Sequence, residues 1–277
     1  MEKKLDDLTF SQKRLVQYIL LNYNNVPYMS AAELAGKVGV SDATVVRLSQ
    51  ALGFSGYSEF KSRLVEAISI DGNTPMGRMM KTIHSIEENN GFIARVFQQD
   101  LINVQETILN FDVRSFEEAI DVIVKGKRIY IVGLNSCASL AHFIHFHLRR
   151  LDADVDITTS GGLVLFEHLA RVKKEDVLIV ITFPRYSKDS LSAIKHCKES
   201  GCKVITITDT ESNVLARESD YVLVAKSDNP LSFVNSFVAP MALCNAVVLC
   251  YGLKVRDKAL ASLERLEKLK ATMNLYL

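Results

Sequence analysis

An α + α/β chain is predicted: an all-helical N-terminal domain joined to a three-layer α/β domain built on a five-stranded parallel sheet. A change of texture along the sequence predicts it. Residues 1 to about 68 carry only helical periodicity and helix-capping signals. From residue 128 onward, the β-rich runs RIYIVG, ADVDIT, DVLIVIT, CKVITIT and DYVLVA alternate with helix-length stretches. Strands separated by helices indicate βαβ units and a parallel sheet. Runs that are apolar at every position, such as Val177 to Ile181, suit strands covered by helices on both faces.

Between the two textures lies ISIDGNTPMGR, whose Asp71, Gly72, Asn73 and Pro75 break regular structure and mark a linker. The domains are accordingly drawn at residues 1–77 and 78–277. Helices are predicted over 78–110 and 113–125, the second ending on Gly126 as its C-cap. A long buried helix is predicted over 232–252 and a charged terminal one over 257–272. The apolar run FVAPMALCNAVVLCYGL (237–253) falls short of the roughly 20 residues a membrane span needs, and it contains Pro240 and Asn245. It reads as a core helix, with no membrane partner.

The composition, 48% hydrophobic and 23% charged, is that of a soluble globular protein. Lys+Arg 33 against Asp+Glu 32 leaves no global pull toward nucleic acid, so any such binding rests on a local patch. The start MEKKLDDLTF lacks the apolar stretch of a signal peptide. Cys137, Cys197, Cys202, Cys244 and Cys250 lack metal-ligand spacing and read as free thiols of a reducing cytoplasm. No metal or cofactor is expected.

The most specific signal is YMSAAELAGKVGVSDATVVRLSQALGF (28–54). Ser30 and Glu33 form a capping box at a helix start. Ala31, Leu34, Ala35 and Val38 set an apolar stripe, and Gly39 permits a tight turn with Val40 tucked into the core. Ser41 then caps a second helix whose Val45, Leu48 and Leu52 face inward, and Gly53 ends it. Two short helices joined through a glycine turn form a helix-turn-helix, whose second helix enters the major groove of DNA. On that helix Ser41, Asp42, Thr44 and Arg47 point away from the apolar stripe. Arg47 suits a guanine edge or a phosphate, and Thr44 a phosphate or a thymine methyl. Lys61 and Arg63 are candidate backbone contacts. Basic and acidic residues nearly balance over residues 1 to 68, so one copy binds weakly and a dimer is expected.

LTFSQKRLVQYIL, SAAELAGKVGVSDATVVRLSQALGFSGYSEFK and RIYIVGLNSCASLA together resemble the RpiR family of bacterial transcriptional regulators. The pattern T-V-x-R-x-x-x-x-L-G-F stands intact at Thr44, Val45, Arg47, Leu52, Gly53 and Phe54. The resemblance implies an N-terminal helix-turn-helix and a C-terminal sugar isomerase (SIS) domain. It also implies a homodimer or homotetramer assembled through the SIS domains, which binds operator DNA near genes of sugar metabolism. The SIS domain then senses a phosphosugar or related metabolite rather than transforming it.

An open α/β sheet binds ligands beyond the carboxyl ends of its strands, and two strand ends offer suitable chemistry. After RIYIV comes Gly133-Leu134-Asn135-Ser136, where Asn135 and Ser136 stand beside free N–H groups at a helix start. The family usually has glycine where Asn135 stands. The second strand end is ITFPRYSKDS, where SIS domains carry S-x-S-G-x-[ST]-x-[DE]. Thr182 stands at the first serine, Pro184 at the second serine and Arg185 at the glycine. Ser187 keeps the hydroxyl and Asp189 the acid. The exchange removes a hydroxyl and loop freedom, and it adds a cation suited to carboxylate or phosphate. An anionic effector, phosphosugar or sugar acid, is therefore expected at Asn135, Ser136, Thr182, Arg185 and Ser187.

Purely structural readings exist for the same residues. Ser187 is also an N-cap, Tyr186 and Leu191 a hydrophobic staple, and Arg185 a partner for Asp189 or a neighbouring acid. Ser160-Gly161-Gly162 is a third wall or a turn, and Ser232 or Asn235 reaches a ligand from the last long helix's lead. No catalytic residue is assigned. Glu167, His168, His142, His145 and His147 are the acid–base candidates, none with a motif around it, so a sensor is favoured over an enzyme. The alternative is a phosphosugar isomerase with an accessory N-terminal domain.

Overall fold

The computed structural model describes residues 8–22, 26, 29–70, 79, 91–229 and 234–274. The chain divides into two compact units, the first within Met1–Phe92 and the second made of Ile93–Asn229 and Asn235–Leu277. The expected boundary at residues 77 and 78 lies outside the described residues.

The first unit holds α1 (Phe10–Leu21), α2 (Ala31–Val38), α3 (Asp42–Ala51) and α4 (Tyr57–Ile70). Helix α1 starts on a capping box, Thr9 accepting from the Gln12 N–H and the Gln12 side chain accepting from the Thr9 N–H at 2.9 Å. The predicted box at α2 forms likewise, with Ser30 Oγ accepting from Glu33 N at 3.2 Å and Glu33 Oε2 from Ser30 N at 2.7 Å. Ser30→Ala is expected to cost about 1 kcal/mol, read as a lower urea midpoint for this unit. Gly39 closes α2 at φ 71°, a left-handed conformation that glycine adopts freely. Arg14 Nη2 donates to Val38 O at 2.6 Å and ties α1 to this turn. Leu15, Ile19, Leu34, Ala35, Val38, Val45, Leu48, Tyr57 and Phe60 make one core, with Val40 and Leu52 packed against it as expected.

The second unit is a sandwich on a parallel sheet. Its strands are β1 (Ile129–Gly133), β2 (Val155–Thr158), β3 (Val177–Ile181), β4 (Lys203–Thr208) and β5 (Tyr221–Val224), in spatial order β2-β1-β3-β4-β5. Alternation of side chains assigns each strand residue to one face. Ile129, Ile131, Val177, Ile179, Ile205 and Leu223 pack with α6 (Val113–Lys125), α7 (Ala138–Arg150) and α11 (Val238–Lys254). Tyr130, Val132, Leu178, Val180 and Val204 pack with α8 (Leu163–Leu169), α9 (Lys188–Glu199) and α10 (Val214–Glu218). Both faces are covered, as the continuous apolar runs require.

Of the helix expected over 78–110, α5 (Phe92–Leu109) is formed, but it starts only after Gly91, a turn residue at φ 118°, and of residues 78–90 Met79 alone is described. It is amphipathic in reverse: the one residue it fully buries is Asn103, whose Nδ2 donates to Asp228 O at 2.7 Å. Lys226 N donates to Thr107 Oγ1 at 2.9 Å, and Ser236 Oγ to Asp100 Oδ1. Ile93, Phe97, Leu101 and Ile108 are meanwhile exposed. Helix α11 begins at Val238, later than the expected 232, and it is buried on one side only. Ala239, Leu243, Cys244 and Val247 face the core, while Val238, Leu249 and Leu253 face outward. The terminal helix α12 (Arg256–Thr272) follows after a sharp bend of 103°. No single helix among the described residues is long and apolar enough to cross a membrane.

Candidate functional site

The first candidate surface is α3. Ser41 sits at its N-cap position, but its hydroxyl pairs with Thr44 Oγ1 at 2.9 Å and caps no backbone N–H. This corrects the expected side-chain cap: the partner one turn ahead competes for the hydroxyl. Asp42 and Arg47 are exposed and Thr44 is partly buried. Arg47 Nε donates to Ala43 O at 3.2 Å, which lays its stem along the helix. Lys61, on α4, is partly buried and lies near Glu33. The Glu33 carboxyl is held below the ordinary range first by the Ser30 N–H, then by the Ser30 hydroxyl, with a smaller contribution from the Lys61 charge.

The second candidate site is the carboxyl edge of the sheet. The chain passes from β1 to β2 on one side and on to β3 on the other, so the strand order reverses between β1 and β3. Such a switch point leaves a crevice outside the strand ends. Gly133 pairs with Ile181, so the two strands end level and their loops emerge side by side. The loops touch: the Cys137 thiol lies against the backbone of Phe183 and the Ser136 side chain. Burial pushes that thiol up to about 11, which keeps it protonated and unreactive.

Asn135 has φ 54° and Arg185 φ 75°. Each stands where the SIS pattern carries glycine, and each keeps the left-handed backbone that glycine supplies without strain. Arg185 therefore takes a conformation that glycine would adopt freely, and the strain is accepted. The two residues that follow hold it there. Tyr186 Oη donates to Asp209 Oδ1 at 2.7 Å, and Ser187 Oγ accepts from Asp189 N at 3.1 Å as the N-cap of α9. Burial and the Asp209 carboxylate both push the Tyr186 hydroxyl's pKa upward. Tyr186 and Leu191 pack against one cluster, as a staple would.

Among the described residues the Arg185 guanidinium makes no hydrogen bond or ion pair, and it is exposed. The pairing with Asp189 is not formed, because Asp189 Oδ2 instead accepts from Gly162 N at 2.8 Å. That bond draws the Ser160-Gly161-Gly162 loop to the start of α9. A side chain on Gly161 would collide with the Asp189 carboxylate. Asn135 and Ser136 are exposed, and Ser187 is half-buried with its O–H free to donate. Thr182 is 4% exposed and lies beneath the loop rather than on its surface. Ser232 lies outside the described residues.

Sequence reasoning missed Asp209 and the α9–Gly162 tie, since both depend on partners 23 and 27 residues away. The acid–base candidates sit elsewhere. His168 Nδ1 lies 3.4 Å from Asp156 Oδ2. Asp156 is level with Tyr130 at the amino halves of β2 and β1, and Glu167 lines the same crevice. His147 packs on the Phe143 and Phe146 rings, with centroids at 4.6 and 5.2 Å, and burial holds its pKa below the usual histidine range.

Similarity to known proteins follows the same division. The helix-turn-helix domain of the rpiR family matches residues 1–71, and the SIS domain matches residues 122–250. Over 265 residues the chain is 26% identical to an HTH-type transcriptional regulator of Clostridium perfringens, covering 95% of this chain and 93% of that one. The sugar isomerase domain of an RpiR transcription factor from Sphaerobacter thermophilus is 26% identical, with TM-score 0.62 over 65% of this chain and 99% of that one. The fold of the Vibrio vulnificus NanR protein, solved with ManNAc-6P, extends over 97% of this chain and 96% of that one at TM-score 0.60 and 17% identity. With a helix-turn-helix of this kind leading a SIS domain, the chain belongs to the RpiR family of DNA-binding transcriptional regulators.

Proposed function

We propose that two copies of the chain bind operator DNA of sugar-metabolism genes through α3, and that an anionic sugar in the β1–β3 crevice controls this binding. The observation that carries the effector site is the pair of left-handed residues, Asn135 and Arg185, at adjacent strand ends. Backbone strain of this sort persists where the surroundings over-determine it, and it gathers at ligand clamps. The 3₁₀ turn at Asn135–Cys137 leading into α7 and the start of α9 present N–H groups suited to an anion. Ser136 and Ser187 add hydroxyl donors, Arg185 adds an unpaired cation, and Thr182 supports the loop from below. A phosphosugar and a sugar acid both suit that set, and NanR, of the same fold, was solved with a phosphosugar.

Sensing without turnover is supported by Glu167 and His168, which line a crevice at the amino halves of the strands, away from these loops. The name of the Clostridium perfringens relative points the same way. Assembly of copies is supported by α5, whose exposed stripe Ile93, Phe97, Leu101 and Ile108 carries no charge. Effector binding orders the loops at 133–136 and 182–187. If one arrangement of the two domains binds effector better, the spacing of the paired α3 helices shifts, and operator affinity with it.

Thermal-shift screening of the full chain with phosphosugars and sugar acids tests the effector reading. At least one is expected to raise the melting temperature, and a flat response across both classes sinks it. For α3, with Ser41, Asp42, Thr44, Arg47 and Lys61 as the proposed DNA-facing set, Arg47→Ala is expected to weaken operator binding about tenfold or more. Unchanged affinity in an electrophoretic-shift titration counts against the helix assignment.

A further inference from the structure

A groove-bound helix reads bases with the side chains that point straight away from its own core. On α3 the inward side is set by Val45, Leu48 and Ser49, all buried. At about 100° per residue, the opposite side is the ridge Ala43, Arg47 and Gln50, at i, i+4 and i+7. All three are exposed. Asp42 lies on one flank of this ridge and Thr44 on the other, where its hydroxyl is already paired with Ser41. The ridge thus contains two residues, Ala43 and Gln50, outside the set that the sequence pattern singled out.

The chemistry along the ridge is specific. Arg47 is pinned through Nε to Ala43 O, which leaves its two Nη groups as a forward fork. The Gln50 side-chain amide has no hydrogen-bond partner among the described residues, so its oxygen and its NH₂ are both available. Ala43 offers only a methyl. At 1.5 Å rise per residue the ridge is about 10 Å long, roughly three base-pair steps.

We propose that Gln50 is a specificity-determining residue of α3, reading adenine through N6 and N7 within about three base pairs of a guanine read by Arg47. Ala43 lies against a thymine methyl beside them, and the flanking Ser41–Thr44 hydroxyl pair faces phosphate. The inference rests on α3 entering the major groove.

The test is selection of binding sites from a randomised duplex pool by the full chain, followed by titration on the selected duplex. Wild type is expected to select guanine and adenine within three base pairs in each half-site. Gln50→Ala is expected to lose the adenine preference alone and to bind the wild-type duplex about 5- to 150-fold more weakly, at unchanged melting temperature. Gln50→Lys is expected to move the preference at that position from adenine to guanine. If both Gln50 variants select the wild-type sequence while Arg47→Ala relaxes it, the role of Gln50 is overturned and α3 in the groove stands. If none of the three variants alters selection or affinity, the reading of α3 falls, and this inference with it.

Discussion

Gly133→Ala is expected to destabilise the sandwich by about 3 kcal/mol, at the upper end of what one inserted methyl costs in a packed interior. For a unit of this size that lowers its melting temperature by roughly 6–12 °C. Gly133 ends β1 with no unusual φ, so the argument is one of space. A Cβ there would stand 2.6 Å from Ala141 Cβ and 2.7 Å from Cys137 O. Neither neighbour is the far end of a flexible side chain. One is a methyl fixed on α7, the other a backbone carbonyl of the turn that carries Asn135 and Ser136. Relief therefore requires β1 and α7 to separate, which moves the turn of the proposed effector site as well as the core. Gly126 provides the comparison: a Cβ there meets Val177 Cγ2 at 2.6 Å, a side-chain methyl with more freedom to give. Gly126→Ala is expected to cost distinctly less. Urea unfolding of the full chain measures both, and a Gly133→Ala midpoint within error of wild type sinks the steric account.

Much of this architecture is written locally. Val177 to Ile181 alternates between two helical layers, so every residue must be apolar, and the run announces a covered parallel strand without knowledge of its neighbours. The capping box at Ser30 and Glu33 and the glycine at 39 are equally local, since each acts within one turn of chain. Ser41 shows the limit of this logic. The residue type and the backbone conformation are those of an N-cap, yet the hydroxyl goes to Thr44.

What stayed hidden was set by partners distant in sequence. Helix α5 turns a polar side inward because Asp228, Lys226 and Ser236 supply its hydrogen bonds from more than a hundred residues away. Nothing in its own periodicity says which side is inward. The site was legible as far as its loops and their departures from the SIS pattern. The conformation of those departures was not: sequence shows that glycine is missing at 135 and 185, whereas the backbone shows that the glycine-like path is kept. Only the second fact separates a rebuilt loop from a strained one.

That distinction makes Arg185→Gly the most informative substitution at the proposed effector site, because its two effects have opposite sign. A non-glycine residue in the left-handed region costs about 1–2 kcal/mol. Glycine removes that strain but returns about 0.5–1 kcal/mol as added freedom of the unfolded chain. The net is roughly zero to 1.5 kcal/mol of gained stability. Loss of the guanidinium removes charge-assisted hydrogen bonds of about 1.5–3 kcal/mol from the effector, a fall of roughly 10- to 150-fold in affinity. Arg185→Ala keeps the strain and loses the same contacts, so it is expected to match the glycine variant in affinity and to fall below it in stability. Calorimetric titration with the anionic sugar found by thermal shift, alongside unfolding of both variants, reads the two effects separately. A glycine variant less stable than wild type means that Arg185 holds the fold. A glycine variant with wild-type affinity means that the helix starts and hydroxyls grip the anion without it. Stability level or higher with affinity lost is the outcome expected of a residue strained for its ligand, with the Tyr186–Asp209 bond and the Ser187 cap fixing the chain just after it.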